Sequence, residues 1–251
     1  MSDVMDFGEP IARGNTACIY LHEGIIYKLF NARFSASEAM YEAAKQKQVL
    51  NYGICAPRIL DVTTVDGKPA ILMEYVNGKT LGHLFVENKA KAEHYVKLSI
   101  DVQQQMHQVY APAMEAMSVK LKRQINNTSQ LEEHEKQQII AKMDALHYES
   151  KLCHGDFHLF NLIKSGSSVT IIDWVDSSAG DVRADVCRTY LLYLSYSTDL
   201  AESYLFFYCK KSGYAREEIL QWMPIIAAAR LSENVPSESA ERLLTIIRDA
   251  L

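Results

Sequence analysis

His154-Gly155-Asp156-Phe157-His158-Leu159-Phe160-Asn161, the short run Leu162-Ile163-Lys164, the turn Ser165-Gly166-Ser167-Ser168 and the run Val169-Thr170-Ile171-Ile172-Asp173 decide how this chain of 251 residues is read. Leu152 to Phe157 is a short apolar run that reads as a strand delivering Asp156 to a loop, with Gly155 beside it for a tight backbone. Asn161 follows five residues later, and Asp173 ends a second apolar strand. A hairpin between the two runs makes their ends converge, which gathers two carboxylates and an amide oxygen. Such oxygen ligands suit Mg²⁺, a hard cation held by one or two protein groups together with substrate phosphates. A carboxylate left off the metal can accept a proton from an attacking hydroxyl. A rival reading takes His154, Asp156 and His158 as alternating metal ligands on one strand face, as in a metallohydrolase. No second histidine cluster of matching spacing supports it.

Toward the N-terminus, strand signals dominate. Glu9 to Tyr20 and Gly24 to Phe30 are short apolar or β-branched runs broken at Gly14-Asn15 and His22-Glu23-Gly24, a pattern for three antiparallel strands. Ser35 or Ser37 then offers an N-cap to a helix carrying Ala39, Ala43, Ala44, Val49 and Leu50 and ending near Tyr52-Gly53. Arg58 to Val65 and Pro69 to Val76 read as two strands joined by Asp66-Gly67, a strong hairpin turn. The first third therefore reads βββαββ. After Asn77-Gly78, helices are expected over 80–87, 90–110, 113–126 and 129–147, and again from about Arg183 to Leu251. The acidic run 131–136 is the solvated face of a helix rather than a metal cluster.

Hydrophobic residues make up 48%, enough for one large domain or two closely packed lobes. The formal net charge of -5 comes without a block of Lys or Arg, so no nucleic-acid partner is expected. Met1-Ser2-Asp3-Val4-Met5-Asp6 is acidic and lacks the apolar core of a signal peptide, and no apolar run is long enough to span a membrane. Cys18, Cys55, Cys153, Cys187 and Cys209 are scattered without C-x-x-C spacing, which suits reduced thiols in a cytoplasmic protein.

Taken together, H-G-D-x-x-x-x-N, a hairpin and I-I-D-W resemble the catalytic core of the aminoglycoside phosphotransferase and choline kinase superfamily, distant relatives of protein kinases. Asp181 and Asp185, eight and twelve residues after Asp173, match that family's downstream spacing. The resemblance implies an α+β, bilobal protein-kinase-like fold. Residues 1–76 would form the nucleotide-binding lobe, a small antiparallel sheet plus one helix. Residues 77–251 would form the larger, mainly helical catalytic and substrate-binding lobe, with a short catalytic β-hairpin. It implies ATP and Mg²⁺ as cofactors and transfer of the γ-phosphate to a hydroxyl of a small molecule: an amino alcohol, a sugar or an aminoglycoside. The acidic residues between Asp173 and Asp185 suit a cationic acceptor.

The family pattern assigns the parts residue by residue. Asp156 would be the catalytic base, and Asn161 and Asp173 the metal ligands. Gly14, Asn15 and Thr16 sit where the phosphate-cradling turn would be. Lys28 would hold the α- and β-phosphates, paired with Glu42, with Glu38 one turn away as the rival. The backbone C=O of Glu74 and N–H of Val76 would meet adenine. His154 would brace the loop, His158 would support it, and Asp185 would cap a helix and accept hydrogen bonds from the catalytic loop. Two departures stand out: Phe160, where many relatives have Gly, and Asp176, an extra carboxylate read first as a turn or cap residue. A non-catalytic nucleotide-binding protein on the same fold is the alternative, although Lys28, Glu42, Asp156, Asn161 and Asp173 are all present.

Overall fold

The computed structural model describes residues 7–235 and 238–251, so the acidic stretch Met1 to Asp6 lies outside the described residues. Strands β1 (Ala12–Arg13), β2 (Ala17–His22) and β3 (Ile25–Phe30) lead into helix α1 (Ala36–Asn51), followed by β4 (Ile59–Val65), β5 (Lys68–Glu74) and β6 (Lys79–Thr80). Helices α2 (Leu81–Glu87), α3 (Ala92–Met106), α4 (Met117–Asn127) and α5 (Glu133–Asp144) come next. Then follow β7 (Lys151–Cys153), β8 (Leu162–Ser165), β9 (Ser168–Ile171) and β10 (Ser178–Gly180). Helices α6 (Val182–Tyr196), α7 (Thr198–Ser212), α8 (Arg216–Leu220), α9 (Met223–Leu231) and α10 (Ala240–Arg248) complete the described chain. This is the α+β class expected.

The chain divides into two compact units. One holds Met1–Leu81 with Phe160–Val175, the other Gly82–Leu159 with Asp176–Leu251. The hairpin of β8 and β9, expected with the C-terminal helices, belongs to the first unit by contact.

In the first unit an antiparallel sheet runs β1-β2-β3-β5-β4. Its two tight turns, Glu23-Gly24 and Asp66-Gly67, hold both central residues at positive φ (49° and 77°, 48° and 76°). That is the hairpin geometry whose twist matches the flanking strands. α1 packs on one face of this sheet. Ala39 and Ala43, four residues apart on the helix, join Ala17, Phe30 and Ile71 in a buried cluster edged by Phe34, Ile59, Val62 and Met73. Small side chains on the helix let it lie close to the strands. A second sheet, ordered β6-β8-β9, contains the expected hairpin, with Leu162 opposite Ile171. Gly78 lies against it so closely that a Cβ there would sit 2.3 Å from the Lys164 carbonyl oxygen.

The second unit is helical apart from the antiparallel ribbon of β7 and β10. α6 is buried on almost every face, from Ala184 to Tyr193, and the largest buried side chains of the unit include Trp222, Tyr204, Tyr208 and Phe157. α4 and α5 start later than the expected 113 and 129. α5 begins only at Glu133, because Glu132 occupies the N-cap and Glu135 bonds back to its N–H at 2.8 Å. α4 begins at Met117 because Ala116, with extended backbone, is its cap. No described helix is long and apolar enough to cross a membrane.

Candidate active site

The period of two along β3 puts Lys28 on the same sheet face as Phe30, the face that α1 covers. Glu42 sits on α1 beside Ala43, so the helix that buries Phe30 also brings a carboxylate to the lysine. Lys28 Nζ donates to Glu42 Oε1 at 2.6 Å and to Asp173 Oδ1 at 3.2 Å. Burial alone would push the Lys28 ammonium down. The Asp173 and Glu42 carboxylates outweigh it and hold the group above its ordinary range. Glu38, the rival partner, is used elsewhere: it closes a capping box with Ser35, accepting from the Ser35 N–H at 2.7 Å.

Asp173 stands just beyond β9 at φ 64°, a left-handed backbone that an aspartate tolerates better than most residues. The Ile172 N–H donates to the Asn161 carbonyl at 2.9 Å, so Asn161 and Asp173 lie at one end of the hairpin. Gly14, Asn15 and Thr16 form the turn between β1 and β2. Gly14 N–H donates to Ala17 O at 2.9 Å, while the Asn31 and Arg33 side chains donate to Asn15 O at 3.0 and 3.1 Å. Glu74 ends β5 opposite Ile25, and Val76 follows beyond the ladder. Phe160 is 44% exposed.

Asp156 belongs to the second unit. Gly155, at φ 82°, makes the turn that presents it, and a Cβ on Gly155 would sit 2.4 Å from the Asp176 carbonyl oxygen. The Asp156 N–H donates to His154 Nδ1 at 3.2 Å, and His158 Nε2 lies 3.4 Å from Asp156 Oδ2. Burial pushes the Asp156 carboxyl up, but contact with His158 and the nearby Arg188 and His154 hold it below the ordinary aspartate range. His154 thus braces the loop as expected, and His158 touches the carboxylate itself. The rival metal set is not assembled. Among the described residues no group of three or more His, Cys, Asp or Glu side chains could hold a metal ion.

The loop contact expected of Asp185 is present, while its partners His107, Gln103 and Tyr208 escaped the sequence. Asp185 accepts the Gly155 N–H at 2.7 Å through Oδ1, and Oδ2 accepts from His107 Nε2 at 3.0 Å and Gln103 at 3.2 Å. His107 Nδ1 meets the Tyr208 hydroxyl at 3.1 Å, so the ring links the carboxylate to the phenol. These bonds hold Asp185 ionised against its complete burial, below the ordinary aspartate range. Its expected second role falls to Asp181, which caps α6 by accepting the Arg183 N–H at 2.8 Å. Asp176 lies in a turn, as expected, and is tied down there: Lys120 Nζ donates to its carbonyl at 2.5 Å and its Oδ1 at 2.8 Å. Burial would raise the Asp176 carboxyl; Lys120 lowers it. A cavity in this unit opens beside Gly155 and is lined by Met117, Lys120, Asp176, Arg188, Ile226 and Glu233, among others. For Arg188 the sequence signal is its isolation in the otherwise uncharged run 186–196.

The donor set fits the cofactors the sequence pattern implies. One carboxylate and one amide at a hairpin end are too few for a closed metal cage, but they match Mg²⁺, which keeps waters and takes phosphate oxygens for its remaining positions. Asp173 spends Oδ1 on Lys28, the one buried lysine that β3 carries.

Solved structures share this fold. A thermostable mutant of the aminoglycoside phosphotransferase APH(4)-Ia, solved with ADP and hygromycin B, shares the fold at TM-score 0.68 and 11% identity, over 98% of this chain and 94% of that one. A choline/ethanolamine kinase family protein from Mesorhizobium loti matches at TM-score 0.65 and 12% identity, over 99% and 89%. Amicoumacin kinase, solved with AMP-PNP and Ca²⁺, matches at TM-score 0.62 and 13% identity, over 96% and 86%. No curated protein is significantly similar in sequence. The model of the phosphotransferase enzyme family (APH) matches residues 9–220, and the chain belongs to that family.

Proposed function

We propose that the protein is an ATP- and Mg²⁺-dependent kinase that transfers the γ-phosphate to a hydroxyl of a small molecule. The observation that carries this is the Lys28 ammonium, buried and held between Glu42 and Asp173. A cation fixed between a helix carboxylate and a hairpin carboxylate is what a nucleotide's phosphates and their metal require together. The nucleotide complexes of the similar structures support ATP as donor. In this reading the nucleotide lobe is 1–76 and the catalytic lobe 77–251. Asn161 and Asp173 would hold Mg²⁺, which when bound neutralises charge on the phosphate oxygens. Lys28 would neutralise the α- and β-phosphates, Gly14, Asn15 and Thr16 would cover them, and the Glu74 C=O and Val76 N–H would meet adenine.

Asp156 is the base in this scheme. A carboxylate held below its ordinary range is always ionised near neutrality but binds a proton weakly. Its work is therefore to orient the acceptor hydroxyl and take the proton late, as transfer makes that hydroxyl acidic. The acidic residues between Asp173 and Asp185 do not form a site for a cationic acceptor. Asp176 is bound by Lys120, Asp181 by Arg183 and Asp185 by His107, so none of these carboxylates waits for an external cation. Amino alcohols, sugars and aminoglycosides remain the classes to screen, with MgATP, by thermal shift.

Asp156→Asn is expected to cut MgATP-dependent phosphorylation by about 10²–10⁴ with melting temperature unchanged. Near-full turnover in that variant would remove Asp156 from the mechanism. An unaltered slow ATP hydrolysis in both proteins would favour a nucleotide-binding protein without catalysis.

A further inference from the structure

We propose that Arg188 is a positioning residue, clamping the Gly155–Asp156 peptide so that Asp156 faces the acceptor in one orientation. The proposal rests on the reading of Asp156 as the base. Arg188 lies on α6 three residues after Asp185, so both project from one helix face. Asp185 takes the Gly155 N–H at 2.7 Å. Arg188 Nε donates to the Gly155 carbonyl at 3.2 Å. One helix thereby grips both polar groups of a single glycine.

The carbonyl end matters most. A peptide unit is planar, so the Gly155 carbonyl, the Asp156 N–H and both flanking Cα atoms move as one body. Arg188 fixes that plane at its oxygen and His154 Nδ1 fixes it at its nitrogen, 3.2 Å away. The Asp176 carbonyl walls off the remaining side at Gly155. The Asp156 Cα therefore has its direction set before its side chain chooses a rotamer.

The chemistry of the clamp requires arginine. Its Nε faces Gly155 while Nη2 donates to Glu233 Oε2 at 2.9 Å, just past the end of α9. A planar fork offers separated donors in fixed relation, whereas a lysine ammonium gathers its three donors on one nitrogen at the end of a flexible stem. The side chain is 7% exposed. A buried ion pair contributes little to stability compared with apolar residues of similar volume. Its placement against the loop that carries the base gives the burial a purpose.

The test compares wild type with Arg188→Met, Arg188→Lys and the double variant Arg188→Met/Glu233→Met. The double variant removes both charges and keeps a folded protein available if the single one fails to fold. Two quantities are read: steady-state MgATP hydrolysis, with water as acceptor, and amide exchange of residues 154–158 by mass spectrometry. Loss of positioning is expected to lower kcat about 10²-fold while KM for MgATP stays within about twofold. Exchange at 154–158 is expected to rise about tenfold, the equivalent of a small local opening, and Arg188→Lys should regain part of both. Unchanged exchange and unchanged kcat in a folded Met variant would overturn the proposal. So would kcat and KM changing together with general destabilisation, the mark of a merely structural role. Should wild type show no MgATP turnover, the kinase reading fails by itself, and the exchange measurement still decides whether Arg188 holds the loop.

Discussion

Replacing Gly155 with alanine puts a methyl group where two separate constraints forbid it. The first is the backbone: φ is 82°, and holding an L residue there costs about 1–2 kcal/mol. The second is space. The new Cβ would lie 2.4 Å from the Asp176 carbonyl oxygen and 3.0 Å from its carbonyl carbon. Backbone must give way, and Asp176 is tethered because Lys120 holds that oxygen at 2.5 Å and the side chain at 2.8 Å. Overpacking of this kind adds about 1–3 kcal/mol. Gly166 supplies the internal control: its φ is 57°, yet nothing lies within 4 Å of its would-be Cβ. Gly166→Ala therefore feels the backbone cost alone. With about 3 °C per kcal/mol for a chain of this size, Gly155→Ala should melt about 9 °C below wild type and Gly166→Ala about 3 °C below. Scanning calorimetry of the three proteins in one buffer reads the difference. If Gly155→Ala melts within about 2 °C of Gly166→Ala, a gap under 1 kcal/mol, the wall at Asp176 yields freely. The argument that the loop is rigidly held would then be wrong.

Lys28→Met leaves the Glu42 carboxylate without its buried counter-charge and should cost about 3–5 kcal/mol in urea denaturation, much of it recovered in Lys28→Met/Glu42→Leu. A single variant as stable as the double would show that the pair is not buried as drawn. Asp185 is held below its ordinary range, so it contributes stability that is present above about pH 4 and is lost as pH falls through its folded-state value. The stability gap between wild type and Asp185→Asn should accordingly be constant from about pH 7 to 5 and narrow below about pH 4; a gap independent of pH would mean the carboxylate is not what Gly155 and His107 stabilise.

Much of the first unit was legible because its signals are local. Asp66-Gly67 and His22-Glu23-Gly24 name their own turns, and Ser35 or Ser37 marks the helix start. The second unit's site was legible only where the motif itself lies. β10, Ser178 to Gly180, has no β-branched or aromatic residue and forms because β7 offers it an edge, with Ser178 opposite Cys153. Lys120 and Asp176 meet across 56 positions of sequence, and Arg188 and Glu233 across 45. Nothing in a helix's own residues tells which distant carboxylate its lysine will find. Asp176 shows the limit well: next to Asp173 it read as a turn residue or a cation site, and only the fold reveals Lys120 as its partner.

The two units treat their key charges in opposite senses by the same device. Lys28 is buried and surrounded by carboxylates, which lock it positive. Asp156 is set beside His158, His154 and Arg188, which lock it negative. In each case burial alone would drive the group toward neutrality, and the neighbouring charges reverse the outcome. Groups fixed in this way do not have to reorient or change protonation as charge migrates during phosphoryl transfer, which is where preorganised electrostatics lowers a barrier. The fixing residues lie on rigid elements: Glu42 on α1, and Arg188 with Asp185 on α6. α6 thus carries both side chains that grip Gly155, the residue before Asp156.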